Sequence, residues 1–377
     1  MVEQFISAID FGETYIKLVK ACVVGNKLHI CGTFKTLTRG VKNGEILSKL
    51  ELSEAIKELI DQSEVNQVKS ENLIVVLPSN RLNVTRKKLE VINDKYPNVT
   101  VKEDIEKLKR DVSSSRLGEN EMPVALYPIT YYSDEKELGR IEPVGDRCKK
   151  YGIDAFVCSL PTGSSRAFID VIEEMKLRVL TATISPLANV AVSLKPNEYK
   201  GGAIVLDIGG SGINISAYYN ELLYVNYHTN KGINYILLQL MQEFNVNREG
   251  AEQILYKYGC ASVENSSNLV VTKINNIDVK ESDIARVVEN SVEMMLGEVK
   301  KTFDLFLQES AELPIIVTGG GANIHGMSEK ISNYFKKVTY SRGFLRIGGR
   351  DYSFNSCIGA IIAYSSERGF IKGEKEG

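Results

Sequence analysis

Two aspartates end apolar runs, and each is followed by a glycine-containing turn. Asp10 ends "FISAID" and precedes Gly12, whereas Asp207 ends "AIVLD" and precedes Gly209 to Gly212. Glycine is unfavourable inside a strand and is expected where the backbone must approach another group closely. Phosphate oxygens are such a group, and carboxylates at strand ends can hold a hydrated Mg²⁺ beside them. The pattern predicts two hairpin tips that clamp a polyphosphate; the alternative is two simple hairpins with solvated aspartates.

The two turns lie in segments that share one plan, about half a chain apart. Residues 4–35 are predicted to form three strands joined by tight turns, and residues 202–228 repeat this arrangement. Aligning Asp10 with Asp207 also aligns Gly12 with Gly209, which two unrelated hairpins would seldom do. We therefore expect two versions of one lobe.

A third glycine run, Gly319 to Gly321, follows a buried-strand pattern at residues 314–317 and precedes a helical pattern at residues 327–335. Such a turn places main-chain N–H groups where an anion can bind, although a tight connection explains the run equally well. The chain contains no G-x-x-x-x-G-K-[ST] motif and no G-x-G-x-x-G between a strand and a helix. These absences argue against a P-loop and against a dinucleotide fold.

Composition narrows the class of protein. The 377 residues suggest two or three lobes, and 46 Lys and Arg against 48 Asp and Glu leave no basic field to hold nucleic acid. Six scattered cysteines without a C-x-x-C pair argue against disulfides and metal clusters, and the histidines are expected to be structural or solvated. The absence of a signal-like N-terminus and of a long apolar stretch predicts a cytoplasmic protein.

Three segments carry a resemblance to a known superfamily. They resemble loops of the superfamily of actins, heat-shock chaperones and sugar kinases. The first phosphate loop is matched by "AIDFGETYIKLV", the second phosphate loop by "GGAIVLDIGGSGINISAYYNELLYVNYHTNKGINYI", and the adenosine loop by "PIIVTGGGANIHGMSEKI". Within this superfamily the chain is most similar to the FtsA family of bacterial cell-division actin homologues, with further matches at "FNVNREGAEQILYKYG" and "FNSCIGAIIAY". The resemblance implies an α/β, actin-like fold of duplicated, ribonuclease H-like lobes with a small subdomain inserted in the first lobe.

By position, the resemblance implies a site for ATP and Mg²⁺. Asp10 and Asp207 would hold the Mg²⁺ shell through water. The residues around the nucleotide would be Gly12, Glu13, Thr14, Lys17, Gly209, Gly210, Ser211, Gly212 and Asn214 at the phosphates, Gly232 and Asn234 at a helix start, Glu252 at the nucleoside, and Gly319, Gly320 and Gly321 in the adenosine loop. A solvated side chain remains the alternative for Lys17 and for Glu252.

Three departures from the family concern hydrolysis and nucleoside contact. Glu13 stands where relatives usually have Thr or Ser, and Leu255 stands where many have Lys. Ser185 occupies the position at which hydrolysing relatives carry a Glu that helps to position water. Because phosphoryl transfer depends on placement of the nucleophile, we expect at most a weak ATPase, and no catalytic residue is assigned.

The resemblance and the polarity pattern together predict the domain organisation. The segment "ALYPITYYSDEKELGRIEPVGD" resembles part of the inserted subdomain, and "SSRAFIDVIEEM" predicts a helix capped by Ser164 or Ser165. The predicted parts are the first lobe (1–81), the inserted small α+β subdomain (82–154), the first lobe continued (155–186), the second lobe with its phosphate loop (187–232), a helical subdomain (233–313), the second lobe continued with the adenosine loop (314–344), and a return to the first lobe with a C-terminal tail (345–377).

The FtsA resemblance also implies partners. It implies filaments of this chain, binding of the FtsZ C-terminal tail to the helical subdomain, contacts of the inserted subdomain with other division proteins, and a place at the inner face of the membrane or the septum. The basic side chains that could pair with the FtsZ tail are Lys273, Lys280, Arg286, Lys300 and Lys301, although a solvated charge mixture is the stronger alternative for any one of them. In "SSERGFIKGEKEG" only Phe370 and Ile371 are apolar, so we expect peripheral membrane contact that does not use this C-terminus.

Two alternatives remain open. One is a pilus-assembly actin homologue of the PilM type, which would bind a peptide of a membrane protein. The other is an active ATPase or small-molecule kinase of the same fold. A kinase needs a carboxylate base beside the substrate hydroxyl, and Asp154 and Asp170 are the only conceivable candidates, in ordinary sequence surroundings.

Overall fold

The computed structural model describes residues 4–64, 72–115, 118, 120–306, 312–346 and 349–371, without the side chains of residues 305–306 and 345–350. The chain opens with β1 (Gln4–Phe11), β2 (Tyr15–Val24), β3 (Lys27–Leu37), β4 (Val41–Lys42), β5 (Glu45–Ile46), α1 (Lys49–Glu64) and β6 (Asn72–Leu77). β1 is buried continuously from Ile6 to Phe11, as expected of a central strand covered on both faces. α1 covers one face, burying Leu52, Ile56 and Leu59 at helical spacing.

A separate antiparallel sheet follows. Its elements are β7 (Asn83–Ile92), α2 (Lys102–Ser114), β8 (Glu121–Ser133), β9 (Lys136–Glu137) and β10 (Lys150–Pro161), in the order β7-β10-β8-β9. α2 packs on this sheet through Ile105, Leu108 and Val112, and the sheet contributes Ile153, so this part has a small core of its own. The sheet runs past residue 154; the limits of the inserted subdomain therefore stay a prediction.

The first lobe then continues through α3 (Thr162–Glu174), β11 (Arg178–Ile184), α4 (Ser185–Ser193) and α5 (Pro196–Gly201). The predicted capping of α3 by Ser164 or Ser165 is wrong, because the helix begins at Thr162 and both serines lie in its first turn. Ser164 Oγ instead donates to the carbonyl oxygen of Pro161 at 3.4 Å. With β11 in place, the first-lobe sheet has the order β11-β6-β1-β2-β3.

The second lobe is built around another five-stranded sheet. Its elements are β12 (Ala203–Ile208), β13 (Ile213–Tyr219), β14 (Leu222–His228), α6 (Ile233–Phe244), α7 (Arg248–Tyr258), β15 (Val270–Ile274), β16 (Ile277–Lys280), α8 (Glu281–Phe306), β17 (Ile315–Thr318), α9 (Met327–Phe335) and β18 (Thr339–Ser341). The sheet order is β14-β13-β12-β17-β18, and β15 and β16 form a separate hairpin. α6, α7 and α8 pack on one face through residues such as Ile236, Leu255 and Val292.

The chain returns to the first lobe at its end. β19 (Leu345–Arg346) and β20 (Gly349–Arg350) form a short hairpin, and α10 (Asn355–Glu367) packs on β1 and against α4. At the helix crossing a Cβ on Gly359 would lie 2.0 Å from the carbonyl oxygen of Ala188, so only glycine fits. Phe370 and Ile371 pack against the same first-lobe core. In the described part of the chain, no helix is both long enough and apolar enough to cross a bilayer.

The two five-stranded sheets are copies of one arrangement. β1 pairs antiparallel with β2 and parallel with β6, and β12 pairs in the same way with β13 and β17. Asp10 lies opposite Lys17 in the first hairpin, and Asp207 lies opposite Asn214 in the second. The predicted duplication of the lobe is therefore confirmed.

Candidate functional site

A cleft of about 890 Å³ lies between the two lobes, within the size range of small-molecule sites. It is bounded by the tips of the two hairpins, by the turn after β17 and by the segment after β6. The predicted site residues that line it are Asp10, Gly12, Glu13, Thr14, Lys17, Asp207, Gly209, Gly210, Ser211, Gly212, Asn214, Glu252, Gly319 and Gly320. Gly232, Asn234 and Gly321 are not among the lining residues; they pack behind the wall.

One ammonium group lies near two carboxylates in this cleft. Lys17 Nζ donates to Asp10 Oδ2 at 2.9 Å, with both side chains largely buried. Although burial alone would lower it, the Asp10 carboxylate raises the pKa of the Lys17 ammonium. Burial raises the pKa of the Asp207 carboxyl, and the Lys17 ammonium opposes that shift. The strand ends therefore gather negative charge that a single lysine balances only in part.

A row of hydrogen bonds connects the second hairpin to the first lobe. His228 Nδ1 lies 2.8 Å from Asn214 Oδ1, and Asn214 Nδ2 donates to Ser79 Oγ at 3.1 Å. Ser79 Oγ lies 2.9 Å from Ser185 Oγ, and both serines are buried. Burial lowers the pKa of His228, which favours the neutral imidazole. His228 therefore fixes the orientation of the Asn214 amide, which is a structural role at the wall of the cleft.

Along one side of the cleft the first hairpin bonds directly to the second lobe. Thr14 Oγ1 donates to Asn234 Oδ1 at 3.1 Å, and the Tyr15 hydroxyl donates to Glu252 Oε2 at 2.5 Å. Arg248 Nη2 donates to Asn234 Oδ1 at 2.7 Å, and Arg248 Nε donates to Glu252 Oε1 at 3.2 Å. These five residues form a closed ring across the two lobes.

The glycines in the cleft walls are explained by close packing of the protein on itself. A Cβ on Gly210 would lie 1.8 Å from Thr14 Oγ1, and one on Gly232 would lie 2.4 Å from the carbonyl oxygen of Gly209. Gly319 combines a φ of 77° with a Cβ position 2.3 Å from Asp207 Oδ1, so its conformation and its surroundings both require glycine. The glycine pattern thus locates the site without by itself proving that phosphate binds there.

The start of α6 is covered by the second hairpin. The N–H groups of Ile233 and Asn234 donate to the carbonyl oxygens of Gly209 and Gly210 at 3.0 and 2.9 Å. A helix N-terminus often offers such amides to an anion, but here the first two are already satisfied by protein. The N–H groups of Ile233 and Asn234 therefore hold the second hairpin in place.

The turn after β17 differs in detail from the predicted succession of strand, glycine turn and helix. Gly320–Asn323 form a 3₁₀ turn, and α9 begins only at Met327. Asn323 Nδ2 donates to Asp351 Oδ1 at 2.9 Å, and the N–H of Tyr352 donates to Asn323 Oδ1 at 3.1 Å. The glycine run thus meets the segment before α10, with no α-helix N-terminus directly behind it.

The chain is similar to known proteins in sequence and in fold. No family model matches it. Cell division protein FtsA of Streptococcus pneumoniae is 24% identical over 345 residues, covering 88% of this chain and 74% of the relative. FtsA of Enterococcus faecalis is 25% identical over 377 residues, covering 95% and 83%, and FtsA of Staphylococcus epidermidis is 26% identical over 381 residues, covering 96% and 79%.

Solved structures show the same fold at low identity. A chain of the PilM-PilN type IV pilus biogenesis complex aligns with a TM-score of 0.64 at 12% identity, covering 94% of this chain and 97% of that one. MreB5 of Spiroplasma citri bound to ADP aligns with a TM-score of 0.56 at 10% identity, covering 97% of both chains. The chain resembles FtsA and has an actin-like fold.

Several residues that line the cleft of this FtsA-like chain are not among the site residues predicted from the sequence. Tyr15, Lys35, Ser79, Tyr256 and Tyr352 all line the cleft. Of these five, only Ser79 could have been found from the duplication of the lobe, because Asp10 pairs with Val76 on β6 as Asp207 pairs with Thr318 on β17. Extending the repeat by one strand therefore makes Ser79 equivalent to Gly321, in the turn that corresponds to the third glycine run.

The departures from the family have clear places in the structure. Glu13 lines the cleft at the first hairpin tip, and Ser185 lines it at the start of α4. Leu255 is buried in the core of the second lobe, whereas Glu252 and Tyr256 of the same helix, α7, line the cleft.

Proposed function

We propose that this chain is an ATP-binding, actin-like protein of bacterial cell division that forms filaments and links FtsZ to the membrane or to other division proteins. The observation that carries the proposal is the resemblance to FtsA along nearly the whole chain, in a molecule whose duplicated hairpins face one cleft. The name of these relatives, cell division protein, supports the cellular role. The location that follows is the inner face of the membrane or the septum.

The cleft suits a nucleoside triphosphate with Mg²⁺. Asp10 and Asp207 offer the hard carboxylate oxygens that Mg²⁺ prefers, at equivalent ends of two strands. Lys17 and Asn189 already bond to one oxygen of each, so a hydrated ion held through water fits this donor set better than direct ligation by both carboxylates. When bound, Mg²⁺ supplies neutralisation of phosphate charge. A neighbour of the same fold, MreB5, was solved with ADP, which supports a nucleotide here.

Slow or absent hydrolysis follows from the groups around Ser185. Ser79, Ser185 and Asn214 can orient a water molecule by hydrogen bonds, but none of them is a base near neutral pH. Asp154, one of the two conceivable kinase bases, is bonded to Arg86 in the antiparallel sheet, with its Oδ2 2.7 Å from Arg86 Nη2, and it does not line the cleft. Asp170 bonds to Arg166 on the surface of α3. Neither supports a kinase.

The β15–β16 hairpin and its surroundings are the proposed place for the FtsZ tail. Leu269, Val270 and Ile277 are largely exposed there, which suits an acidic and apolar peptide beside Lys280. Lys273 and Arg286 have acidic neighbours, Asp278 at 3.4 Å and Glu243 at 3.7 Å, and contribute less free charge. Contacts with other division proteins are assigned to the inserted subdomain by the resemblance alone.

Calorimetry with Mg-ATP on matched glycine variants tests the nucleotide site. Gly210→Ala should abolish binding, because the new Cβ would press the two hairpin tips apart. Gly163→Ala is the control, since a Cβ there meets nothing within 4 Å. Asp207→Ala should also abolish binding. Unchanged ATP affinity in folded Gly210→Ala and Asp207→Ala proteins would refute the proposed phosphate clamp.

A pilus function is the second candidate, because the PilM-PilN chain aligns with the higher TM-score of the structures described above. Its identity of 12% supports the fold and not the partner. Pull-down with immobilised peptides separates the two functions: capture by the FtsZ C-terminal tail supports the division role, whereas capture only by the cytoplasmic segment of a pilus membrane protein supports the other. Filaments that form on lipid in the presence of ATP, seen by electron microscopy, would further support the division role.

A further inference from the structure

The ring formed by Thr14, Tyr15, Asn234, Arg248 and Glu252 joins the two lobes beside the cleft. Thr14 and Tyr15 belong to the first hairpin, whereas Asn234 lies on α6 and Glu252 on α7. The two bonds that cross between the lobes span 220 and 237 positions of the chain. Each crossing bond therefore depends on how the lobes are placed and on no local feature of either hairpin or helix.

Arg248 makes the two acceptors into one unit. Its guanidinium donates to Asn234 Oδ1 and to Glu252 Oε1, so neither acceptor can turn away without losing a bond to it. Lys35 Nζ lies 4.7 Å from the centre of the Tyr15 ring on the first-lobe side. Burial and the hydrogen bond to Glu252 raise the pKa of Tyr15, which keeps its hydroxyl protonated and able to donate.

We propose that these five residues form an inter-lobe latch that must open whenever a nucleotide enters or leaves the cleft. The proposal rests on the proposed function, in that the cleft is taken to bind a nucleotide. It assigns Glu252 and Asn234 to holding the lobes together, whereas the family resemblance implies contact with the nucleotide. Tyr15 controls the rate of exchange because its hydroxyl makes the shorter of the ring's two crossing bonds, 2.5 Å against 3.1 Å for Thr14.

Movement of the two lobes relative to each other acts on both crossing bonds. The donors Thr14 and Tyr15 move with the first lobe, and their acceptors move with the second. Gly210 already approaches Thr14 so closely that a Cβ would not fit between them. A rotation that opens this side of the cleft therefore separates both donor–acceptor pairs together, and the barrier to opening includes the loss of both.

The test uses the full chain and the Tyr15→Phe variant, which removes one hydroxyl and keeps the ring. Release of a methylanthraniloyl-labelled ATP, chased with unlabelled ATP in a stopped-flow instrument, should be about tenfold faster in the variant. Amide hydrogen exchange of the nucleotide-free protein should also be faster at residues 12–16 and 248–252. Tyr334→Phe, which removes a hydroxyl on α9 outside the ring, is the matched control.

A double-variant cycle checks that the ring acts as a unit. Tyr15→Phe combined with Glu252→Ala should release the label within about twofold of the faster single variant, because either change alone already removes the hydrogen bond between Tyr15 and Glu252. Additive acceleration would overturn the latch, as would unchanged release and unchanged exchange in Tyr15→Phe. If the unaltered protein binds no ATP, the proposed function fails, and hydrogen exchange of the nucleotide-free proteins alone decides for or against the latch.

Discussion

Replacing Lys17 by methionine should strongly destabilise the first lobe. The change removes the ammonium and keeps most of the side-chain volume, so it leaves Asp10 buried without its cation. At 2.9 Å the pair attracts by about 6 kcal/mol if the effective dielectric constant is about 20. Desolvation of both groups offsets part of this attraction. Breaking such a pair from one side costs about 3–5 kcal/mol of unfolding free energy, which is the expected loss.

Two controls separate the charge effect from packing. The double variant Asp10→Asn with Lys17→Met removes both charges, and its unfolding free energy should return to within about 1 kcal/mol of the unaltered protein. Lys49→Met breaks an ion pair of the same length, but with Glu174 on the surface, where solvent screens it. Its unfolding midpoint should barely move.

Urea unfolding followed by far-ultraviolet circular dichroism provides the measurement, since the chain has no tryptophan to report by fluorescence. Measurements without nucleotide keep stability separate from ATP binding. The reasoning is refuted if Lys17→Met is as stable as Lys49→Met. It is also refuted if the double variant is as unstable as Lys17→Met alone, because the loss would then come from packing.

Two further predictions concern His228 and the α4–α10 crossing. Burial holds the pKa of His228 below its usual value of about 6.5, so the unfolded chain takes up a proton first and stability falls as the pH drops below that value. In thermal melts between about pH 7 and about pH 5, the stability of His228→Gln should fall less steeply than that of the unaltered protein, by up to about 1.4 kcal/mol per pH unit. The control is His29→Gln, on the exposed face of β3. Parallel pH profiles of His228→Gln and the unaltered protein would contradict this prediction. Gly359→Ala should lower the free energy of unfolding by about 1–3 kcal/mol, because its Cβ would overlap the Ala188 carbonyl oxygen, whereas Gly163→Ala should not; equal stability of the two would contradict the close crossing.

The hairpins could be located from sequence because their features are local. An apolar run, an aspartate and a glycine turn occur within a few residues, and the same order recurs in the second half of the chain. The structure adds that the equivalence extends to the facing strand, where Lys17 corresponds to Asn214. It also adds that the glycines are needed for protein packing, which a pattern of residue types cannot distinguish from an approach to phosphate.

The contacts between lobes could not be located in this way. Glu252 lies on the cleft side of α7, but its bond to Tyr15 depends on the angle between the two lobes. Ser79 and Ser185 are separated by 106 positions and meet only because β6 and β11 are neighbours that end at the same edge of the sheet. No periodicity or motif within either segment encodes such a meeting.

The difference between the duplicated hairpins has a consequence for charge. Asp10 and Asp207 are equivalent, but the residue opposite is an ammonium in one hairpin and an amide in the other. A lysine in both places would balance both carboxylates. With Asn214 in the second hairpin, Asp207 has no ammonium group opposite it; burial raises the pKa of its carboxyl, and the Lys17 ammonium of the first hairpin opposes that shift. Under the proposed function, this imbalance favours a hydrated cation that enters with the phosphates over the phosphates alone.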